Sequence, residues 1–149
     1  MKKTFFSLLF LVCLTGCESK AESEFIQFLN EKSEDTDIVF SAILGLSDEV
    51  EANPNLIRDE EIQKTISELR YKVYEVKESI DEYDVPRDSN KDLNDALYFL
   101  MKASIELEIV AEGLEDFFIR NTSTNAEELN NSMNAVIFNM NQANQIFRD

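Results

Sequence analysis

The sequence predicts an all-α protein, an antiparallel up-down-up-down four-helix bundle behind a removable leader, and three observations carry that prediction. Three stretches place apolar side chains at alternating steps of four and three, which keeps them on one helical face and makes the seam of a bundle. No stretch alternates apolar and polar with period two, and 3 glycines and 2 prolines in 149 residues leave little material for hairpin turns. The breaks between the periodic stretches are short, and short connections set successive helices side by side and antiparallel.

The first element is the leader. Met1-Lys2-Lys3-Thr4 is basic, and Phe5 to Leu14 (FFSLLFLVCL) is largely apolar. A membrane-spanning helix needs roughly 20 apolar residues. This run is about half that length and ends in small residues, the profile of a signal peptide. The tetrapeptide Leu14-Thr15-Gly16-Cys17 resembles the lipobox of bacterial lipoproteins, in which a small residue precedes the cysteine. That resemblance implies a diacylglyceryl thioether on Cys17, cleavage after Gly16 and acylation of the new amine. One acyl chain binds a membrane only marginally, whereas two or three anchor stably. The alternative is an ordinary secreted protein with a cysteine near its cleavage site. The expected division is a signal peptide over 1–16, a lipidated Cys17 with a polar tether over 17–24, and one acidic domain over 25–149, at the extracytoplasmic face of the cell membrane.

Charge and cysteine usage bound what that domain does. The chain carries 14 basic and 30 acidic residues. All the acids follow Cys17, while Lys2 and Lys3 leave with the leader, so 12 basic against 30 acidic side chains give the remainder a net charge of −18. Such a surface repels nucleic acid and anionic headgroups. The 2 cysteines are Cys13 and Cys17. The first leaves with the signal and the second is consumed by lipid, so no disulfide staples the fold and about 130 residues must stand on one core.

Four segments follow. The first starts well with Phe25 and Leu29, is interrupted by Lys32 and Thr36, and resumes with Val39, Ile43, Leu46 and Val50. The acidic run Glu31–Asp37 is therefore the place where helix one is open to a break into two pieces. With such a break, a three-helix bundle on a stalk becomes the alternative architecture. The second seam runs Ile62, Ile66, Leu69, Val73, Val76, Ile80, Tyr83. The third is Leu93, Leu97, Leu100, Ser104, Leu107, Ala111, Leu114, Phe118, and the fourth is Leu129, Met133, Val136, Met140, Ala143, Phe147. Leu69, Leu107 and Val136 fall mid-seam and are expected in the core.

Punctuation agrees with these segments. Asn53-Pro54-Asn55 closes helix one, and Asp59 is placed to cap helix two. Asp84-Val85-Pro86 ends helix two, because the residue before a proline is biased out of helical geometry. Asp88 or Ser89 is expected to cap helix three. Thr124-Asn125-Ala126-Glu127 reads as a capping box for helix four.

Little in the chain carries chemistry. It has 0 histidines, which removes the commonest general base, the commonest metal ligand and the Glu-x-x-His pairs of di-iron bundles. With no thiol after Cys17 and no Gly-rich phosphate loop, only carboxylates remain. Pairs such as Glu60/Glu61, Glu106/Glu108 and Glu115/Asp116 fall mostly outside the seams and read as solvated faces, so neither an enzyme nor a cofactor is expected. Asp88-Ser89-Asn90-Lys91-Asp92 matches the first five positions of a calcium loop. Positions six and twelve should be glycine and glutamate but are Leu93 and Phe99, so helix capping is the better account.

Candidate partner surfaces are easier to locate. Numbered as heptads with Ile66, Ser104 and Met133 at a, the seams place Tyr71, Ile109 and Phe138 at f, farthest from the bundle axis and near mid-helix. Single exposed apolar residues are common. Three large ones at f on successive helices are read as a belt of contacts for a partner, with Tyr98, Phe99 and Ile105 adding to the outer side of helix three. Helix four also differs in character: its polar side is almost wholly amide, including Asn130, Asn134, Asn141 and Gln145, whereas segment one (Glu18 to Ala52) holds ten acids and two bases.

Beyond the leader, the chain resembles in architecture and composition the small helical lipoproteins of Gram-positive bacteria. That resemblance carries no functional residue across. The expected function is a membrane-anchored, non-catalytic binding or adaptor module engaging a protein or peptide. The alternatives are a protective lipoprotein (phage exclusion, immunity, or a trap for cationic peptides) and a structural, self-associating bundle.

Overall fold

A computed structural model describes residues 20–120 and 125–146, apart from the side chains at 57 and 126. The described residues form an antiparallel four-helix bundle: α1 (Lys20–Ala52), α2 (Glu60–Asp81), α3 (Lys91–Phe118) and α4 (Ala126–Ile146), with a short 3-10 helix, η1 (Pro54–Arg58), between α1 and α2. Cys17 and the leader lie outside the described residues, as do Thr124 and Phe147.

Helix α1 corrects the expected interruption, because it runs unbroken for 33 residues. Thr36 sits fully buried on the seam, where its Oγ1 donates to the Lys32 carbonyl at 2.7 Å and leaves no polar atom wanting. The Lys32 stem lies along the protein while its ammonium reaches Glu31 at 3.1 Å and Asp35 at 2.8 Å. Burial from Phe25 through Val50 shows α1 packed along its length, so the arrangement with a free stalk does not hold. The helix also takes in residues 20–24, assigned above to the tether.

Boundaries follow from capping. Asp59 caps α2 by accepting from the backbone N–H of Glu61 and Ile62, as expected. Neither Asp88 nor Ser89 caps α3; Asn90 does, accepting from the N–H of Asp92, while Ser89 Oγ donates to Asn94 Oδ1 at 2.8 Å. At α4 the cap is the Asn125 side chain, which accepts from Glu127 and Glu128 N–H at 3.1 and 3.4 Å. Each cap satisfies donors that the first helical turn leaves without a partner.

The seams meet as one core with a smaller cluster at one end. Leu107, Leu100, Ile43 and Val136 are fully buried at the centre. At one end Tyr83, just past α2, stacks on Phe28 and Phe25 of α1 with ring centroids 3.8 and 5.2 Å apart. At the other, Leu46, Val50, Ile66 and Phe118 gather under Leu56 of η1. Leu69 touches both clusters but is only partly buried, less deep than its mid-seam position implied.

Helix α3 is the hub, packing against the other three. Besides its a and d residues it buries a third row, Ala96, Ala103 and Val110. These side chains are seven apart and small, so α4 approaches closely, burying Ser132 and Asn139. The wider buried face also draws Phe99 against the core. Phe99 is therefore not part of the outer surface as expected. Helix α4 meets α1 at a hydrogen bond between side chains, Ser33 Oγ donating to Asn144 Oδ1 at 3.3 Å.

Candidate functional site

The three belt residues stand in solvent. Tyr71 is 64% exposed, Phe138 59% and Ile109 38%. Position f guarantees this, since each seam turns its a and d residues inward and f opposite to them. The fold does not gather the three into one surface. Tyr71 lines a groove between α2 and α3, whereas Ile109 and Phe138 are not part of its wall. Ile109 continues an outer stripe of α3 with Tyr98 and Ile105, where the Lys102 ammonium lies 5.3 Å from the Tyr98 ring centroid. Phe138 stands on α4, where no side chain from Leu129 to Ile146 carries charge.

A groove of about 260 Å³ lies between α2 and α3. Its floor includes Val73 and Ala111, and the tyrosines Tyr71 and Tyr74 stand at its α2 side. The far wall is carboxylate: Glu108, Glu112 and Glu115 recur at steps of four and three along α3. Arg70 crosses the groove, donating from Nη1 to Glu115 Oε2 at 2.6 Å and from Nη2 to Glu112 Oε1 at 3.4 Å. One turn-pair along, Lys77 Nζ lies 3.7 Å from Glu108 and 3.2 Å from Asp81. The Asp81 hydrogen bond, opposed by desolvation and helped by the Glu108 charge, raises the Lys77 pKa. The Glu78 carboxylate, by its charge and by accepting from the Tyr74 hydroxyl at 3.3 Å, raises the Tyr74 pKa. The groove therefore offers two tyrosine side chains beside a row of carboxylates partly paired with Arg70 and Lys77. That combination suits a cationic or amphipathic group.

Sequence reasoning missed this groove by reading Glu108 and Glu115 as solvated. The signal was present. In the heptad numbering Arg70 and Lys77 are the e residues of α2, and Glu108 and Glu115 the e residues of α3. Antiparallel neighbours bring like-lettered flanking rows together, so bases on one row and acids on the other predict a clasp.

A second, more open hollow lies between α3 and the start of α4, lined by Glu106, Glu127, Glu128 and Asn131 among others. Carboxylates around a helix N-terminus stabilise that helix, which accounts for them structurally. In the 88–92 stretch Ser89 Oγ and Asn90 Oδ1 are engaged around the α3 cap, and among the described residues no group of three or more His, Cys, Asp or Glu side chains is arranged to hold a metal ion. No described helix is long and apolar enough to cross a membrane.

The fold and its surfaces define a class: an acidic antiparallel four-helix bundle with exposed aromatic and aliphatic side chains outside a closed core. The chain matches no protein-family model, and no curated protein or solved structure is significantly similar to it.

Proposed function

We propose that this protein is a lipid-anchored, non-catalytic binding module, tethered through Cys17 at the extracytoplasmic face of the cell membrane and engaging a protein or peptide partner. The observation that carries the reading is the exposure of Tyr71, Ile109 and Phe138 on three helices whose own core is already filled. Large apolar side chains left in water gain free energy when a partner covers them. The lack of histidine, and of any thiol beyond Cys17, supports a non-catalytic role. The lipobox-like Leu14–Cys17 supports the anchor.

Changing Tyr71, Ile109 and Phe138 together to Gln should lower partner capture from host extracts, or self-association in sedimentation, while leaving the melting temperature nearly unchanged. Unchanged capture and association would sink the belt. The anchor is tested separately. Mass spectrometry of the mature N-terminus should find acyl groups on Cys17, and Cys17→Ser should release the protein from the membrane fraction.

A second reading, capture of cationic peptides, is favoured by the tyrosines and carboxylates of the α2–α3 groove. Surface electrostatics weaken with ionic strength. Such cargo should be bound at low salt and shed at high salt, unlike cargo held by the belt.

A further inference from the structure

Only Glu18 and Ser19 separate Cys17 from the first residue of α1. A chain of three residues reaches about 10 Å at most. Phe25, five residues into the helix, is already fully buried, so α1 is fixed to the bundle almost from its start. A lipid on Cys17 therefore holds one particular end of the bundle against the bilayer. That end carries the start of α1, the α2–α3 connection with Tyr83, Val85 and Arg87, and the end of α4. At 1.5 Å per residue, a helix of this length spans about 50 Å.

Charge disfavours three of the four flanks, and on the fourth, α4, the exposed Ile137 and Phe138 are the side chains a flat posture would have to use. Toward the bilayer this end is itself acidic: the α2–α3 connection and its flanks alone expose Asp81, Glu82, Asp84, Asp88 and Asp92 against Arg87 and Lys91, with Glu24 and Lys20 beside them on α1. Lying down on α1 would add the exposed Glu31, Glu34, Glu49 and Glu51, and α2 and α3 carry acids on their outer faces as well. Anionic headgroups repel each carboxylate brought within a Debye length, about 10 Å at ordinary ionic strength. Helix α4 is the one flank without this repulsion. It has no basic residue from Leu129 to Ile146 to attract lipid.

We propose that the end bearing the α2–α3 connection is the bilayer-facing surface, and that on an anionic membrane the bundle stands upright with η1 and the end of α3 outward. This rests on the anchor at Cys17.

The test is neutron reflectometry of the full-length protein, expressed in its host and extracted from membranes, on supported bilayers of anionic phospholipid at low salt. An upright bundle gives a protein layer about 50 Å thick, roughly twice the layer left by one lying flat two helices deep. On zwitterionic lipid, or at high salt, the layer should thin as the repulsion is lost. A thin layer on anionic lipid at low salt overturns the proposal while leaving the anchor intact. If Phe138→Gln restores full height to such a layer, α4 was lying on the bilayer. Protein that is absent from the membrane fraction and carries no lipid on Cys17 overturns the anchor, and the posture with it.

Discussion

Arg70 on α2 and Glu115 on α3, 45 positions apart in sequence, meet at 2.6 Å across the α2–α3 groove. A step of seven residues forward on α2 and seven back on α3 leads from this pair to Lys77 and Glu108, 3.7 Å apart. Two ion pairs in the same antiparallel register fix how α2 slides against α3, which the apolar seam alone, repeating every heptad, specifies less sharply.

Arg70→Ala should therefore destabilise the bundle by about 1 kcal/mol, the upper part of the range for partly exposed pairs. The side chain of Glu115 is only 14% exposed and loses its closest partner. A double-mutant cycle with Glu115→Gln, followed by urea denaturation, should show positive coupling that shrinks with added salt. Additive effects would make the short distance energetically idle.

Leu107 and Val136 are both fully buried, on α3 and α4. Leu107→Ala should cost about 2–5 kcal/mol from lost transfer free energy and the cavity left behind, and Val136→Ala somewhat less. Leu69→Ala should cost less than Leu107→Ala, because Leu69 keeps contact with water. Thermal melts followed by far-UV circular dichroism give the ranking. If Leu69 were the costliest of the three, the partial burial of α2 would be misplaced.

Asp37 lies on the first helix as an exposed residue, yet burial of its carboxyl raises its pKa from the ordinary 3.8. The folded protein holds that proton more tightly than the unfolded chain. Stability from this group is thus present below the ordinary value and is lost as pH rises through the raised one, leaving a penalty at neutral pH. Asp37→Asn should raise the melting temperature at pH 7, and the gain should vanish in acid, where both side chains are neutral. A variant equally stable or weaker at pH 7 would count against desolvation at this site.

Much of the fold was legible because the bundle repeats one physical rule. Four-three spacing placed Val73, Leu100, Leu107 and Val136 in the core, and Asp59 at its cap, without knowledge of any contact. The reading failed where a side chain meets a need other than the one its type suggests. Thr36 looked like a break, but its hydroxyl is satisfied by its own helix. Phe99 looked like surface, but the small Ala96 and Ala103 widen the buried face beside it. Exposure of Tyr71, Ile109 and Phe138 was legible because position f fixes it. The groove beside Tyr71 was not, because it depends on two helices at once and on the e rows being compared between them.

The third buried row of α3 also sets an order in time. An amide proton in a helix exchanges with solvent when its segment opens, and opening is costlier the more neighbours must part. Helix α4 leans chiefly on one neighbour, whereas α3 is held by all three. Deuterium should therefore enter α4 first and the middle of α3, around Leu100 to Leu107, last. The helix that packs against all three others is the one whose protons keep the longest memory of the folded state.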